Sequence, residues 1–537
     1  MARQPVRILL LAFFDEWCLG LRTLSAVLKR EGHDVRLAIF RGMSEMHDSA
    51  GEGDPDGYHH PPASATNADF DALINVVREV KPDLIGMGFC SNFFGLARET
   101  TRRMRSATEA PILWGGADPT VNPDLGVQYA DAVCVGEGEA ALVEIAERIA
   151  EKRPFNDVAN LCMRDAQGEI IHNARRPLIT ELDALPWPDF DRQSQIYITS
   201  GEARAGALPA VSSLHDSYPL LSGRGCPFSC TYCCNSHLRE LYGAKHYVRQ
   251  RSVDNVIREI EQARKNSPGI RHVEFHDDVF SIDMEWLQEW AGQYTQRIGL
   301  PFSCYSHPAT TTAERVAILK RAGVSFTIMG VQSGSERILR EIYKRNTPRE
   351  RILEAARQIR EAGIHLVIDL ISANPFETEE DRRATLDLML QMPEGFMLHE
   401  VNRLCIFRNH PISDQMIAAG FEEQGILELW DEDRNMRGAK DSDEHRFWIA
   451  LLSLTEFKNE LGEINIRQMA DDPFLRQHPA IVEGISHAMI DARYLPGSRK
   501  RRDTRLHELE AELLRLKGSR IVRYALRLRE ILSRRTA

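Results

Sequence analysis

Three cysteines, Cys226, Cys230 and Cys233, form the pattern C-x3-C-x2-C. Thiolates at this spacing can hold three irons of a [4Fe–4S] cluster and leave the fourth iron open to an external ligand. A zinc ion is the alternative, with His237 as a possible fourth ligand. Structural zinc sites usually combine two short paired knuckles, and no second knuckle follows here, so the pattern favours the cluster. Cys234 directly follows Cys233 and is expected to pack rather than to bind.

The aromatic Tyr232 directly before the last cysteine completes C-x3-C-x-aromatic-C, which resembles the signature of the radical S-adenosylmethionine (SAM) superfamily. The resemblance implies that the three cysteines bind the cluster and that Tyr232 lies along the adenine of SAM. It also implies the chemistry. One electron from the cluster breaks a carbon–sulfur bond of SAM, and the resulting 5′-deoxyadenosyl radical abstracts hydrogen from a substrate. The protein positions and shields that radical.

Later segments extend this resemblance to about residue 410. Asp277 and Asp278 stand in a segment similar to the D-D-x-F of cobalamin-fused members, which implies contact with the amino group of the SAM methionine. Gln332 and Ser333 stand in a segment that resembles the fourth-strand contact near the ribose, with Gln332 where the family often has Glu. The segment 369–378 resembles a fifth-strand segment but lacks two glycines expected there.

Two arginines lie between the cysteine motif and the next helical pattern. Arg249 and Arg251 are candidates to bind the methionine carboxylate of SAM. The alternative is that they form a solvated basic cluster at the start of a helix.

Glycines follow several apolar runs in the first 150 residues, notably Gly115 with Gly116 and Gly136 with Gly138, on either side of Glu137. Glycine permits tight turns and a close approach of backbone to ligand. In a doubly wound sheet, ligands bind beyond the carboxyl ends of the strands. The alternative is that these glycines only make turns between strands and helices. Together the segments resemble the cobalamin-binding domains that are fused to radical SAM barrels.

In that resemblance, Trp17 occupies the position at which many members have a cobalt ligand. Many cobalamin-binding domains carry D-x-H-x-x-G, whose histidine ligates the cobalt, and the segment Asp15–Gly20 has the same frame with Trp17 in its place. An indole offers no free lone pair to a metal. The resemblance therefore implies a cobalt without a histidine below it and Trp17 as a cover over that face. The alternative is that Trp17 packs in the core.

Alternating strand and helix patterns define the fold class. Residues 1–150 predict a doubly wound parallel sheet and form the cobalamin-binding domain, and residues 151–200 are a connector. Residues 201–410 contain six strand–helix repeats, which predict a partial (β/α)6 barrel with its active site at the carboxyl ends of the strands. Residues 411–537 are helical.

Composition narrows the function classes. A net charge of -11 argues against general nucleic-acid binding, and no apolar run reaches the roughly 18 residues of a membrane span. Four of the ten cysteines lie between residues 226 and 234 rather than spread as a disulfide framework would, which favours a cytoplasmic metal-binding protein. A basic amphipathic pattern over 499–533 predicts a helix that packs on the barrel or makes weak contact with an anionic membrane surface.

The residues and the resemblance lead to one expected activity. We expect a cytoplasmic enzyme with a [4Fe–4S] cluster, SAM and cobalamin that transfers a methyl group to an unactivated carbon of a small-molecule metabolite. An external electron donor such as flavodoxin or ferredoxin would reduce it. The alternatives are an oxidative cyclisation or rearrangement with the same cofactors and a non-catalytic cobalamin or iron–sulfur sensor. The substrate and the residues that act on it are not encoded in any recognisable motif.

Overall fold

The computed structural model describes residues 4–40, 65–208, 212–421 and 442–494. The chain forms two compact units, residues 1–304 with 405–439 and residues 305–404 with 440–537. Most of the loop region between residues 41 and 67 and all of the basic pattern over 499–533 lie outside the described residues. Within the described residues, no helix is long and apolar enough to cross a membrane.

A nine-stranded sheet dominates the first unit, in the order β7-β6-β5-β4-β3-β1-β2-β8-β9. Strands β5, β4, β3, β1, β2 and β8 run parallel, and the strands beyond them at both edges are antiparallel. The strands are β1 Arg7–Phe13, β2 Asp34–Phe40, β3 Leu84–Gly88, β4 Ile112–Gly115, β5 Ala132–Cys134, β6 Leu161–Arg164, β7 Ile170–His172, β8 Gln195–Thr199 and β9 Glu202–Ala205.

Apolar side chains cover both faces of this sheet. Along β1, Leu9 and Leu11 enter one buried cluster, whereas Ile8 and Leu10 enter the other. Both faces are buried because helices pack on each side, as in other parallel sheets. The associated helices are Leu19–Arg30, Asn67–Val80, Phe94–Met104, Ala117–Val121, Pro123–Gly126 and Glu139–Ala150. The predicted doubly wound sheet is confirmed.

The residues expected to be only a connector, 151–200, add three strands to the sheet, and β9 just beyond them adds a fourth. The hairpin of β6 and β7 extends it beyond β5, and β8 pairs in parallel with β2, with Leu37 opposite Gln195. The sequences of these short strands show no clear hydrophobic periodicity. Each strand is buried instead by pairing with a strand that is distant in sequence or antiparallel to it. The pairing also covers edges that would otherwise expose unpaired backbone groups.

A second set of parallel strands begins in the same unit. β10 (Ser217–Leu220) pairs with β13 (His272–Phe275), which pairs with the first part of β14 (Phe302–Ser306). A short antiparallel hairpin, β11 (Gly223–Arg224) and β12 (Arg249–Gln250), follows β10. The first predicted strand of this region therefore ends earlier than expected, because Gly223 belongs to the hairpin. The helices here are Cys234–Tyr242, Val253–Asn266, Met284–Arg297 and Pro411–Ala418.

The second unit continues the strand–helix alternation and then becomes helical. β15 (Val324–Gln332), β16 (His365–Ser372) and β17 (Met397–Arg403) are parallel. Ala373, which stands where the resemblance expects a glycine, has φ of 56°, a conformation that favours glycine. The helices are Ala313–Ala322, Arg349–Glu361, Glu379–Gln391, Asp443–Ser453, Lys458–Leu461, Glu463–Asp471, Pro473–Gln477 and Pro479–Tyr494, with a π-helical turn at Ile338–Ile342. All six predicted strand–helix repeats are present.

Glu259 on the helix Val253–Asn266 pairs with Arg251 and is hydrogen-bonded to Tyr218 on β10, so that this buried group joins the strand to the helix. Glu259, 1% exposed, lies 2.5 Å from the Arg251 guanidinium and accepts a 2.8 Å hydrogen bond from the Tyr218 hydroxyl. Burial raises the pKa of Glu259, and Arg251 offsets only part of that increase. Removing one partner of such a pair leaves the other charge buried and unpaired, whereas replacing both partners with apolar residues often does not destabilise the protein.

We therefore expect Arg251→Ala to lower the free energy of unfolding by about 3 to 5 kcal/mol, and Arg251→Met with Glu259→Leu to cost less. Loss of Arg251 raises the pKa of Glu259 further, so the folded variant binds a proton that the unfolded chain releases. The penalty should therefore shrink as the pH falls, because protonation removes the unpaired buried charge. Chemical denaturation at several pH values measures this. A penalty that is equal at all pH values, or larger in the double variant, contradicts it.

Candidate functional site

A cavity of about 600 Å³ opens at the carboxyl edge of the nine-stranded sheet. The loops after β1, β3, β4 and β5 line it, at the point where the strand order reverses between β1 and β3. Ligands bind at such switch points in open α/β sheets. The loop after β10, the β12 strand and the loop after β13 line the same cavity. One cavity therefore borders both regions in which the sequence predicts a cofactor.

Two of the four predicted glycines are required by the backbone around this cavity. Gly116 has φ of 95°, and a Cβ there would lie 2.8 Å from the backbone N and O of Phe89. Gly136 has φ of 86°, and its Cβ would overlap the Tyr242 hydroxyl. Gly115 and Gly138 would meet only ordinary contacts. Gly116 and Gly136 are thus required by their backbone conformation and by close protein neighbours, and their contact with cobalamin stays a prediction.

Glu137, between the glycines after β5, ties this loop to β11 and β12, the two strands that flank the cysteine motif in sequence. Its Oε1 accepts hydrogen bonds from Arg224 at 2.9 Å and from Arg249 at 2.8 Å, and its Oε2 accepts one from the Ile179 amide. Arg224 also donates to Glu139 at 2.6 Å. Burial raises the pKa of Glu137, but the two guanidiniums and the amide lower it by more, so it stays ionised. We call these four charged side chains the Glu–Arg clamp.

The three cysteines of the motif lie together in the loop between β11 and the helix Cys234–Tyr242. Cys226 and Cys230 are buried and Cys233 is half-buried. Burial raises the pKa of Cys226 to about 12, and the neighbouring Asp278 and the other two thiols add to this increase. A hydrogen bond with the Cys234 side chain lowers the pKa of Cys233. Cys234 thus lies beside the motif, as a neighbour of Cys233.

The spacing of these sulfur atoms bears on the zinc alternative. Tetrahedral zinc brings its thiolate ligands within about 3.8 Å of one another. Among the described residues, the three motif cysteines do not bring their sulfur atoms within 4.8 Å of one another. The three thiols are therefore not gathered as one tetrahedral ion would hold them, and binding of the cluster stays a prediction.

The two aspartates after β13 have different surroundings. The buried Asp277 accepts hydrogen bonds from the Ser222 amide, the Ser222 hydroxyl and the Gly223 amide, and burial raises its pKa to about 6 despite these bonds. Asp278 lines the cavity near the cysteines, and burial raises its pKa while the Asn235 side chain lowers it in part. Asp277 thus supports the loop after β10, and Asp278 is better placed to meet a bound amino group.

The two candidate arginines are not a solvated cluster. Arg249, with a side chain 9% exposed, lines the cavity as part of the Glu–Arg clamp. Arg251 donates to Asn255 and to the Leu221 carbonyl beside its ion pair with Glu259, and it does not line this cavity. Contact with the SAM carboxylate stays a prediction for Arg249, whereas the bonds of Arg251 favour a structural role.

The remaining predicted SAM contacts are placed as follows. Tyr232 is half-buried in the cysteine loop. Gln332, at the end of β15, has φ of 71°, and the buried Ser333 hydroxyl lies 3.3 Å from the Thr385 hydroxyl. Both belong to the second unit. Their contacts with adenine and ribose stay predictions.

Trp17 packs against a residue to which the sequence analysis assigned no role. Its ring lies 4.5 Å from that of His276, and its indole N–H donates to the Ser213 hydroxyl at 3.0 Å. Asp15 accepts hydrogen bonds from the Trp17 and Cys18 amides. Asp15 and His276 line the cavity but Trp17 does not. The proposed cover over the cobalt stays a prediction, and His276 is the one histidine among the described residues that line this cavity.

The first prediction about the cofactors concerns Gly136, at which an added side chain would overlap the Tyr242 hydroxyl. We expect Gly136→Ala to lower cobalamin occupancy strongly, because the added methyl group also meets a strained φ. Gly292→Ala is the control, since a Cβ there meets nothing within 4 Å. Absorbance spectroscopy of the bound cofactor and the melting temperature report binding and folding separately. Full occupancy in a stably folded Gly136→Ala protein contradicts the assignment of this loop.

The second prediction concerns the cysteines. Anaerobically prepared protein should carry about four irons and four sulfides per chain. Replacing Cys226, Cys230 or Cys233 by Ala should abolish the cluster, whereas the matched control Cys234→Ala should retain it. Iron and sulfide analysis with absorbance spectroscopy measures this. Stoichiometric zinc without iron, in protein made under iron-replete anaerobic conditions, contradicts it.

Two family models match the chain. The B12 binding domain matches residues 9–146, and the radical SAM superfamily matches residues 220–389. An uncharacterised methyltransferase of Pyrococcus horikoshii is 27% identical, over 68% of this chain and 72% of its own. The cytidylyl-2-hydroxyethylphosphonate methyltransferase of Streptomyces wedmorensis is 24% identical over 69% and 72%. The hopanoid C-3 methylase of Methylococcus capsulatus is 24% identical over 70% and 64%.

Two solved structures have a similar fold. The cobalamin-dependent SAM radical enzyme OxsB aligns with a TM-score of 0.62 at 15% identity, over 99% of this chain and 84% of its own. The radical SAM methyltransferase TsrM of Kitasatospora setae aligns with a TM-score of 0.57 at 19% identity, over 77% and 76%. The chain therefore contains a B12-binding domain followed by a radical SAM domain.

Proposed function

We propose that this protein is a methyltransferase that uses a [4Fe–4S] cluster, SAM and cobalamin to methylate an unactivated carbon of a small molecule. The observation that carries the proposal is the cavity that borders the cobalamin-side loops and the loops next to the cysteine motif. Methyl transfer by this route requires the radical source and the methyl carrier to reach the same substrate atom. The walls of this cavity include the cobalamin-side loops and residues adjacent to the cysteine motif, such as Gly225 and Asp278, which supports a shared reaction space.

Three relatives support the reaction type. Their names include methyltransferase or methylase, and each aligns over about two thirds of this chain. Their named substrates differ from one another, a nucleotidyl phosphonate in one and a hopanoid in another. The names therefore support methyl transfer and leave the substrate of this chain open.

The residues of the cavity prepare the site for such chemistry. When bound, the cluster and SAM supply a carbon-centred radical that removes hydrogen from the substrate, and cobalamin supplies the methyl group. Asp277 fixes the loop after β10, which leads into the cysteine motif, through three hydrogen bonds. Asp278 offers a carboxylate to the SAM amino group. The apolar residues Leu21, Met87 and Leu142 on the wall exclude water from the reacting atoms.

The expected partners remain proposals. A single-electron donor of the flavodoxin or ferredoxin type would reduce the cluster, and the cytoplasm is the compartment in which such donors and reduced thiols occur. Contact of the basic pattern over 499–533 with a membrane surface is an open prediction.

A third prediction tests turnover. Reduced protein with SAM should release 5′-deoxyadenosine, slowly even without substrate. Extract of cells that carry the gene, fed methionine with a trideuterated methyl group, should contain a metabolite with three deuterium atoms in place of hydrogen that extract without the gene lacks. Mass spectrometry measures both. Absence of 5′-deoxyadenosine with cluster and SAM bound favours a sensor. Its release with a new product that lacks the label favours oxidative rearrangement.

A fourth prediction concerns the lower face of the cobalt. We expect the cob(II)alamin state to show no nitrogen superhyperfine splitting in electron paramagnetic resonance. Trp17 replaces the histidine of the D-x-H-x-x-G frame, and the His276 imidazole packs on Trp17 with Nε2 lying 3.3 Å from a Glu274 carboxylate oxygen. Uniform nitrogen-15 labelling of the protein distinguishes a protein nitrogen from the cofactor's own base. Splitting that changes with the label and disappears in His276→Ala contradicts the prediction.

A further inference from the structure

A second cavity of about 750 Å³ lies in the first unit, apart from the cysteine motif. Asp124 and His172 are on its wall, and Cys162 lies directly behind them. The Asp124 carboxylate oxygen Oδ1 is 2.7 Å from His172 Nε2, and the Cys162 sulfur is 3.9 Å from His172 Nε2 and 4.0 Å from Asp124 Oδ1. The three ligand atoms form a compact triangle that no part of the proposed reaction uses.

The fold brings these residues together from three elements. Cys162 on β6 and His172 on β7 are direct cross-strand partners in an antiparallel pair, so their side chains share one face of the hairpin. Asp124 is in the first turn of the short helix Pro123–Gly126. Because β6 also pairs with β5, the cysteine stands on a strand that is fixed on both sides. The geometry is therefore set by the sheet and not by flexible side chains alone.

The distances match a zinc ion closely. With zinc bonds of about 2.0 Å to N and O and 2.3 Å to S, a tetrahedral site separates N from O by about 3.3 Å and S from either by about 3.6 Å. Each of the three observed distances differs from its value in a tetrahedral zinc site by about half an ångström. Rotation of the exposed Asp124 and His172 side chains can supply that change. Cysteine, histidine and carboxylate are all ordinary zinc ligands.

We propose that Asp124, Cys162 and His172 form a zinc site whose fourth position opens into the second cavity. Three protein ligands with an open position are the arrangement of zinc sites that bind an exchangeable water or ligand. Arg175 and Arg408 on the same cavity wall favour water or a small anion at that position. The site is independent of the proposed methyl transfer, since none of its ligands lines the first cavity.

The test uses full-length protein loaded with its cluster and cobalamin, so that the motif cysteines are occupied. One equivalent of Zn²⁺ is added, excess is removed by gel filtration, and zinc content and the zinc K-edge absorption fine structure are measured. We expect one zinc per chain with one sulfur at about 2.3 Å and nitrogen or oxygen at about 2.0 Å. Zinc should also raise the melting temperature.

The ligand variants make the test specific. Cys162→Ala, His172→Gln and Asp124→Asn should each weaken zinc binding by more than the roughly 10-fold that loss of an outer-shell partner costs. Cys405→Ala, which removes a half-buried thiol elsewhere, should bind zinc like the unchanged protein. The Asp124 and His172 side chains are more than half exposed. The Asp124→Asn and His172→Gln proteins therefore stay folded even if the Cys162→Ala protein does not. No retained zinc, zinc with three sulfur ligands, or equal zinc in His172→Gln overturns the proposal.

Discussion

The Glu–Arg clamp is the interaction on which the shared cavity depends. Glu137 and Glu139 leave the cobalamin-side sheet after β5, and Arg224 and Arg249 belong to the hairpin whose two strands flank the cysteine motif in sequence. Their side chains are at most 24% exposed. Charges so poorly hydrated stabilise the fold only when they are paired and hydrogen-bonded. The pairing therefore links the position of one cofactor loop to that of the other, within one compact unit.

The same constraint explains which glycines are required. A loop drawn toward the hairpin by Glu137 passes directly beside Tyr242, so Gly136 has no room for a side chain. Gly138, one residue beyond the clamp, meets only ordinary contacts because the chain has already turned into the helix Glu139–Ala150. The loose G-x-G pattern in the sequence thus combines one position that needs glycine with one that tolerates more, and only the geometry separates them.

Local sequence patterns predict most of the strands and helices, but they do not predict which side chains pair with one another. A short apolar run between turn signals carries its own evidence of burial, so the sequence predicts a strand at 365–372, and β16 has these bounds. β8 was missed because its burial comes from β2, far away in sequence. The sequence does not reveal that Glu259 is the partner of Arg251. Nor does it reveal that the Trp17 ring packs on His276, and the role of Trp17 toward the cobalt stays a prediction.

Ion pairs in the clamp orient the site in a way that apolar contacts would not. An apolar contact of equal area could stabilise the two loops as well, since buried ion pairs often add little net stability. A guanidinium, however, presents its donors in a fixed plane, so that Arg224 bridges two carboxylates in only a narrow range of orientations. Reactions that depend on the placement of a radical lose rate with displacements of about 1 Å. Directional bonds between the loops suit that requirement, and the apolar wall between them keeps water from competing for the same donors.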